Sequence, residues 1–112
     1  MTENILVCTA WPYANGSIHI GHVAGCYLPA DIFARFHRLL GNNVIMVSGS
    51  DAHGTPVTIT AETLNISPEE VADKYQKEFL SDWSRLGINF DLFTSTHTEN
   101  HEKVSQDIFT KL

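Results

Sequence analysis

The sequence predicts an α/β fold, a parallel sheet flanked by helices, on three observations. Residues 4–10 and 44–47 are compact apolar runs, the continuous kind expected of parallel strands buried on both faces. Between them lies a segment whose apolar positions recur at helical spacing. Strand, helix and strand in that order make a βαβ unit, and no internal repeat or low-complexity tract competes with it.

Each element has its own grounds. Residues 4–10 supply Ile, Leu, Val, Cys and Thr for the first strand, and residues 11–17, with Pro12 and Asn15-Gly16, read as a loop. A helix follows. Over residues 31–40 it carries Ile32, Phe33, Phe36, Leu39 and Leu40 as an apolar stripe, with Asp31, Arg35 and Arg38 opposite and His37 on the polar side. Gly41 closes it as a C′ residue. Pro29 costs a helix interior about 3 kcal/mol, so a kink is expected there. The strand at 44–47 then delivers Ser48-Gly49-Ser50-Asp51 into a loop.

The second half of the chain reads as mainly structural. Ser67, Pro68 and Glu70 form a capping box with proline at the first helical position, and Val71, Tyr75, Phe79 and Leu80 continue an apolar stripe toward Trp83 and Leu86. Residues 90–94 are a candidate third strand. Thr96-His97-Thr98-Glu99 reads as a second capping box, opening a helix through Val104, Ile108 and Leu112. Tyr27 and Tyr75 are expected in the core, and Cys8 and Cys26 as buried free thiols, since no Cys-x-x-Cys pair suggests zinc or redox chemistry.

Composition bounds the function. With 112 residues and a 43% hydrophobic fraction, one domain with one modest core is expected. A net charge of -6, with all seven Lys and Arg scattered at or beyond Arg35, argues against this segment alone gripping nucleic acid. No signal-peptide pattern or membrane-spanning run is present, so a cytoplasmic location with no membrane partner is expected.

The chemistry concentrates in residues 12–22, Pro-Tyr-Ala-Asn-Gly-Ser-Ile-His-Ile-Gly-His, which place two imidazoles where a strand hands over to a helix. A helix start offers unpaired N–H groups and the positive end of the macrodipole, a natural phosphate site. His19 and His22, at i and i+3, share one face of that helix, and Gly21 between them leaves no side chain to block a ligand. If the two strands are parallel neighbours, this loop and the Asp51/His53 loop face one crevice beyond the strands' carboxyl ends. On the residues alone, His19 and His22 also fit loop histidines with local hydrogen bonds, Asp51 an Asx-turn or helix N-cap, Tyr13 a ring packed over the first strand, and Asn15-Gly16 a turn. His97 and His101 stand at i, i+4, but no third ligand supports a metal, and none is assigned.

His19-Ile20-Gly21-His22 resembles the signature of class I aminoacyl-tRNA synthetases, and residues 12–18 together with Gly49-Ser50-Asp51-Ala52-His53-Gly54-Thr55-Pro56 resemble the methionyl branch. Leu28-Pro29-Ala30-Asp31 and residues 93–112 look like archaeal-type members. The resemblance implies a Rossmann-like catalytic domain of which residues 1–112 are the N-terminal half. It implies His19 and His22 as catalytic residues, Asn15, Gly16, His19, Gly21 and His22 at ATP, and Trp11, Tyr13 and Asp51 at L-methionine, Asp51 pairing with the α-ammonium. Trp11 departs from the leucine of bacterial members, which alters the pocket wall. ATP with Mg²⁺ and tRNA(Met) are the implied partners, the tRNA through a full-length enzyme. The family's Lys-Met-Ser-Lys-Ser loop, zinc-bearing insertion and anticodon-binding domain do not occur in this sequence. The segment alone is therefore expected to be inactive and prone to self-association through uncovered apolar surface and an unpaired sheet edge. Two alternatives stand beside this reading: another His-Ile-Gly-His enzyme, a leucyl, isoleucyl or valyl synthetase or a nucleotidyltransferase, and a non-catalytic nucleotide-binding module.

Overall fold

Three strands, β1 (Asn4–Cys8), β2 (Asn43–Ser50) and β3 (Leu92–Ser95), form one parallel sheet in the order β1-β2-β3 in the computed structural model, which describes residues 2–112. Asn4 pairs with Asn43 at one end of the first ladder and Cys8 with Val47 at the other, while Val47 to Ser50 pair with Leu92 to Ser95. Parallel neighbours need long crossovers. The first is a continuous helical stretch, α1 (Ile20–His22), a π-helical turn (Val23–Tyr27) and α2 (Leu28–Leu39); the second is α3 (Thr55–Leu64) and α4 (Pro68–Leu86). α5 (Glu99–Lys111) follows β3.

β2 runs further than its apolar run predicts. Ser48-Gly49-Ser50 belong to the strand and not to a loop, because β3 pairs with them and Ser48 and Ser50 are buried. The sheet is also covered on one face only. Val44 and Met46 are buried with Ile5 and Val7 packed against them, whereas Leu6, Cys8 and Ile45, on the alternate positions, are exposed. Cys8 is therefore an exposed thiol, because the described helices cover only the other face, and Cys26, in the π-helical turn, is half-buried.

α2 inverts the expected orientation. Its buried residues are Asp31 and Ala34, in line with Tyr27 just before it and the half-buried Arg38, while Ile32, Phe33, Phe36, Leu39 and Leu40 are exposed, Leu39 to 86%. Hydrogen bonding explains the polar choice. The buried Asp31 carboxylate accepts from Arg35 Nε at 2.6 Å and from the Asn89 N–H at 3.3 Å, and Arg35 also donates to the Gly87 carbonyl. Arg38 donates to Asp91 at 2.8 Å. The polar stripe thus clasps the segment that leads from α4 into β3, and the buried charge of Asp31 is paired.

Helix termini follow their signals with one exception. Pro29 sits in the first turn of α2, directly after the π-helical turn, in which the Leu28 N–H donates to the Val23 carbonyl. The widened turn is how the chain accommodates a residue without an N–H. Gly41, at φ 84°, closes α2 with bonds from its own N–H to Arg38 and from the Asn42 N–H to His37, a Schellman pattern. The Ser67/Glu70 box forms at α4, and the bonds from the Ser67 backbone and hydroxyl hold the Glu70 carboxyl below its usual range. At α5 the N-cap is Thr98, which accepts from the His101 N–H at 3.2 Å, and not Thr96, which is bonded elsewhere.

α3 has no counterpart among the predicted elements. Its threonines, valine and isoleucine are weak helix formers, and packing of Val57 and Ala61 on Val71 of α4 supplies what propensity lacks. On α4 the buried stripe is Val71, Ala72, Phe79 and Trp83; Leu80 and Leu86 stay exposed. The Tyr27 and Trp83 rings meet at a tilt, centroids 4.4 Å apart, in the core, and Tyr75 packs against it half-buried. Burial raises the Tyr27 phenol far above its usual range, and its O–H donates to the Ala10 carbonyl at 3.0 Å.

Candidate active site

The site begins beyond the carboxyl end of β1, alongside Ser48-Gly49-Ser50 of β2. Past Cys8 the chain leaves the sheet and returns to it once, in a parallel bridge between Tyr13 and Asp51, where the Asp51 N–H donates to Pro12 and the Ala14 N–H to Asp51, both at 2.8 Å. The two motif loops are thereby locked together, although the clefts at this end are lined by the His19/His22 loop and not by Asp51 or His53. Trp11 lies across β2: a Cβ on Gly49 would stand 2.8 Å from the Trp11 ring and 2.8 Å from the Thr94 carbonyl, so only glycine fits beneath it. The Tyr13 ring borders Gly54, whose φ of 126° suits glycine alone.

His19 and His22 cap the helix that follows. His19 is the N-cap residue of α1; its Nδ1 accepts from the Gly21 N–H at 3.1 Å, and Nδ1 of His22 accepts from the His19 N–H at 3.3 Å. The rings stack at 3.8 Å. Because each Nδ1 is an acceptor, each neutral ring carries its proton on Nε2, leaving two N–H donors on adjacent exposed rings. This corrects the expectation of free backbone donors: the Gly21 N–H is taken by His19 Nδ1 and the His22 N–H by the His19 carbonyl at 2.9 Å. Gly21 also has a different reason. A Cβ there would stand 2.9 Å from Cε1 of His19, so the glycine makes room for the ring.

Trp11, Tyr13, Asn15, Gly16 and His22 line one cleft of about 350 Å³. Gly16 has no positive φ and open space where a Cβ would point, so nothing in the fold requires glycine there. His19 lines the adjoining cleft with Ile18, Val23 and Arg85. Asp51 lines neither; it joins the site through its bridge to Tyr13. Its Oδ1 accepts from the His53 N–H at 3.0 Å, the Asx-turn expected of it, while the N-cap of α3 is Gly54. Sequence reasoning missed Thr96, whose hydroxyl lies 3.3 Å from Asp51 Oδ1 and accepts from the Ala52 N–H at 2.8 Å. Its only signal, the threonine three residues before Glu99, points to a cap that does not form. Among the described residues no group of three or more His, Cys, Asp or Glu side chains is placed to hold a metal ion; His97 faces Glu69 at 3.4 Å. No helix among them is long and apolar enough to cross a membrane.

Known proteins resemble this arrangement closely. A family model described as tRNA synthetases class I (M) matches residues 5–112. Methionine–tRNA ligases of Thermomicrobium roseum and a Roseiflexus species are 61% and 60% identical over the entire chain, which covers 19% of each. The structure of Mycobacterium tuberculosis methionyl-tRNA synthetase in complex with methionyl-adenylate superposes with a TM-score of 0.91 at 29% identity, over 97% of this chain and 21% of that one. This chain thus spans about a fifth of the length of the curated relatives it matches. These relatives are bacterial, so the likeness to archaeal-type members finds no support. Matched from Ile5 to its last residue, and with its parallel sheet reproduced in a synthetase of known structure, the chain belongs to the tRNA synthetases class I (M).

Proposed function

We propose that residues 1–112 are the N-terminal half of the Rossmann-type catalytic domain of a cytoplasmic methionine–tRNA ligase. In this reading they supply the methionine subsite and part of the ATP subsite. The observation that carries it is the Tyr13–Asp51 bridge, which ties the loop leading to an exposed pair of imidazoles to a half-buried carboxylate at the same end of the sheet. The superposed Mycobacterium tuberculosis synthetase is in complex with methionyl-adenylate, the intermediate this arrangement suits.

The chemistry needs no general base. Methionine's carboxylate is already a nucleophile at neutral pH and attacks the α-phosphorus of ATP in line as pyrophosphate leaves. Charge accumulates on the phosphate oxygens, and the Nε2–H groups of His19 and His22 are the donors for it, each worth on the order of 3 kcal/mol. Gly16 leaves room for the nucleotide over the backbone, and Asn15 and Gly21 support this edge, Gly21 by seating the His19 ring. Magnesium would accompany ATP as part of the substrate and offset the charge of its phosphates. Asp51 takes the α-ammonium, and Trp11 and Tyr13 give the thioether aromatic walls. The acyl group then passes to tRNA(Met), which is held by other parts of the enzyme.

Methionine-dependent exchange of pyrophosphate into ATP tests this in the natural polypeptide that carries this sequence. Activity with methionine and not with leucine, isoleucine or valine is expected, falling about a hundredfold in His22→Ala. Residues 1–112 alone are expected to show none. Equal responses to all four amino acids, or full activity of His22→Ala, would remove the reading.

A further inference from the structure

Thr96 stands just past β3, where its N–H donates to the Ser50 carbonyl at 3.0 Å and so carries the β2–β3 ladder one step beyond the last strand pair. The backbone is therefore held rigidly at this point. Its hydroxyl accepts the Ala52 N–H at 2.8 Å, which directs its single proton elsewhere, and Asp51 Oδ1 lies 3.3 Å away. Oδ1 also accepts from the His53 N–H at 3.0 Å. One carboxylate oxygen thus has two donors, while no donor among the described residues reaches Oδ2.

We propose that Thr96 is a positioning residue for Asp51: its hydroxyl, bonded both to the Asp51 carboxylate and to the next backbone N–H, fixes the side-chain rotamer so that Oδ2 is presented to the primary ammonium of an α-amino acid. This rests on the role of Asp51 given above and extends it to a residue that touches no substrate. A carboxylate already held in place loses no rotamer freedom on binding, so affinity for the ammonium group depends on the hydroxyl behind it.

Equilibrium binding of methionine and of ATP is measured separately in the natural polypeptide carrying this sequence, for Thr96→Val, Thr96→Ser, Asp51→Asn and the Thr96→Val/Asp51→Asn double variant. Thr96→Val keeps the shape and removes the hydroxyl. It is expected to weaken methionine about tenfold with ATP affinity within twofold, whereas Thr96→Ser, which keeps the hydroxyl, stays within threefold of the parent for both. In the Asp51→Asn background Thr96→Val adds no further loss, because its effect passes through the carboxylate. Equal weakening of methionine and ATP by Thr96→Val, or the same loss with and without Asp51, would overturn the positioning role. Weak methionine binding in Asp51→Asn with normal binding in Thr96→Val would overturn it while leaving Asp51 in place. Unchanged methionine binding in Asp51→Asn would overturn both.

Discussion

Gly21 shows how a residue without a side chain can set the chemistry of its neighbours. The His19 ring lies where a Cβ at 21 would reach, and its Nδ1 is tied to the Gly21 N–H, so the glycine determines both where the ring sits and which nitrogen carries the proton. Gly21→Ala is therefore expected to fold, since the obstructing atoms belong to a side chain free to swing outward, yet to lower methionine-dependent exchange by about ten- to a hundredfold. Thermal unfolding within a few degrees of the parent, alongside the lost activity, would bear this out; full activity would show that the ring's seat does not matter. Gly49 differs, because its neighbours include the Thr94 backbone carbonyl, which cannot swing away. Neither the Trp11–Gly49 contact nor the Thr96–Asp51 bond is written in a local pattern, since each joins residues far apart in the chain.

α2 carries the sharpest conflict between pattern and packing. Its apolar residues recur at helical spacing, as an amphipathic helix demands, but that stripe faces outward and a polar stripe faces the core. The polar stripe is tolerated because each charge has a partner: Asp31 with Arg35 and the Asn89 N–H, Arg38 with Asp91. In the isolated segment, Asp31→Ala is expected to cost about 2 kcal/mol in chemical denaturation, from the loss of a buried acceptor bonded to backbone and guanidinium. Ile32→Ala, on the exposed side, is expected to change stability by less than about 0.5 kcal/mol. The reverse ranking would mean that α2 is turned the other way in solution. β1 and β2 carry a milder form of the same conflict: continuous apolar runs suggest burial on both faces, and one face is open.

These open surfaces make the segment larger than its length requires. Its accessible surface is 7386 Å² where a compact monomer of this mass exposes about 6,200 Å². Its radius of gyration is 15.9 Å where about 13 Å is usual. The outer stripe of α2 and the sheet face with Leu6 and Ile45 are open apolar areas, and α5 buries none of its residues, leaving Val104, Ile108 and Phe109 exposed as well. Residues 1–112 expressed alone are accordingly expected to self-associate, with sedimentation showing mass that grows with concentration. A monodisperse monomer at high concentration would refute this.

Local chemistry alone determined the three strands, the helices before β2 and after Ser67, and the Gly41 and Ser67 caps, because apolar periodicity and capping groups act over short stretches. The motif residues also pointed to the family that the comparisons established. Only the tertiary structure decided which stripe of α2 faces inward, that α3 is a helix, that β2 runs on to Ser50, and that the Thr96 hydroxyl is bonded to Asp51 and does not cap α5. Each of those outcomes depends on a partner supplied from elsewhere in the chain. For α3 the partner is the apolar face of α4, and for α2, β2 and Thr96 it is a set of groups that satisfies polar atoms local preference would have left to solvent.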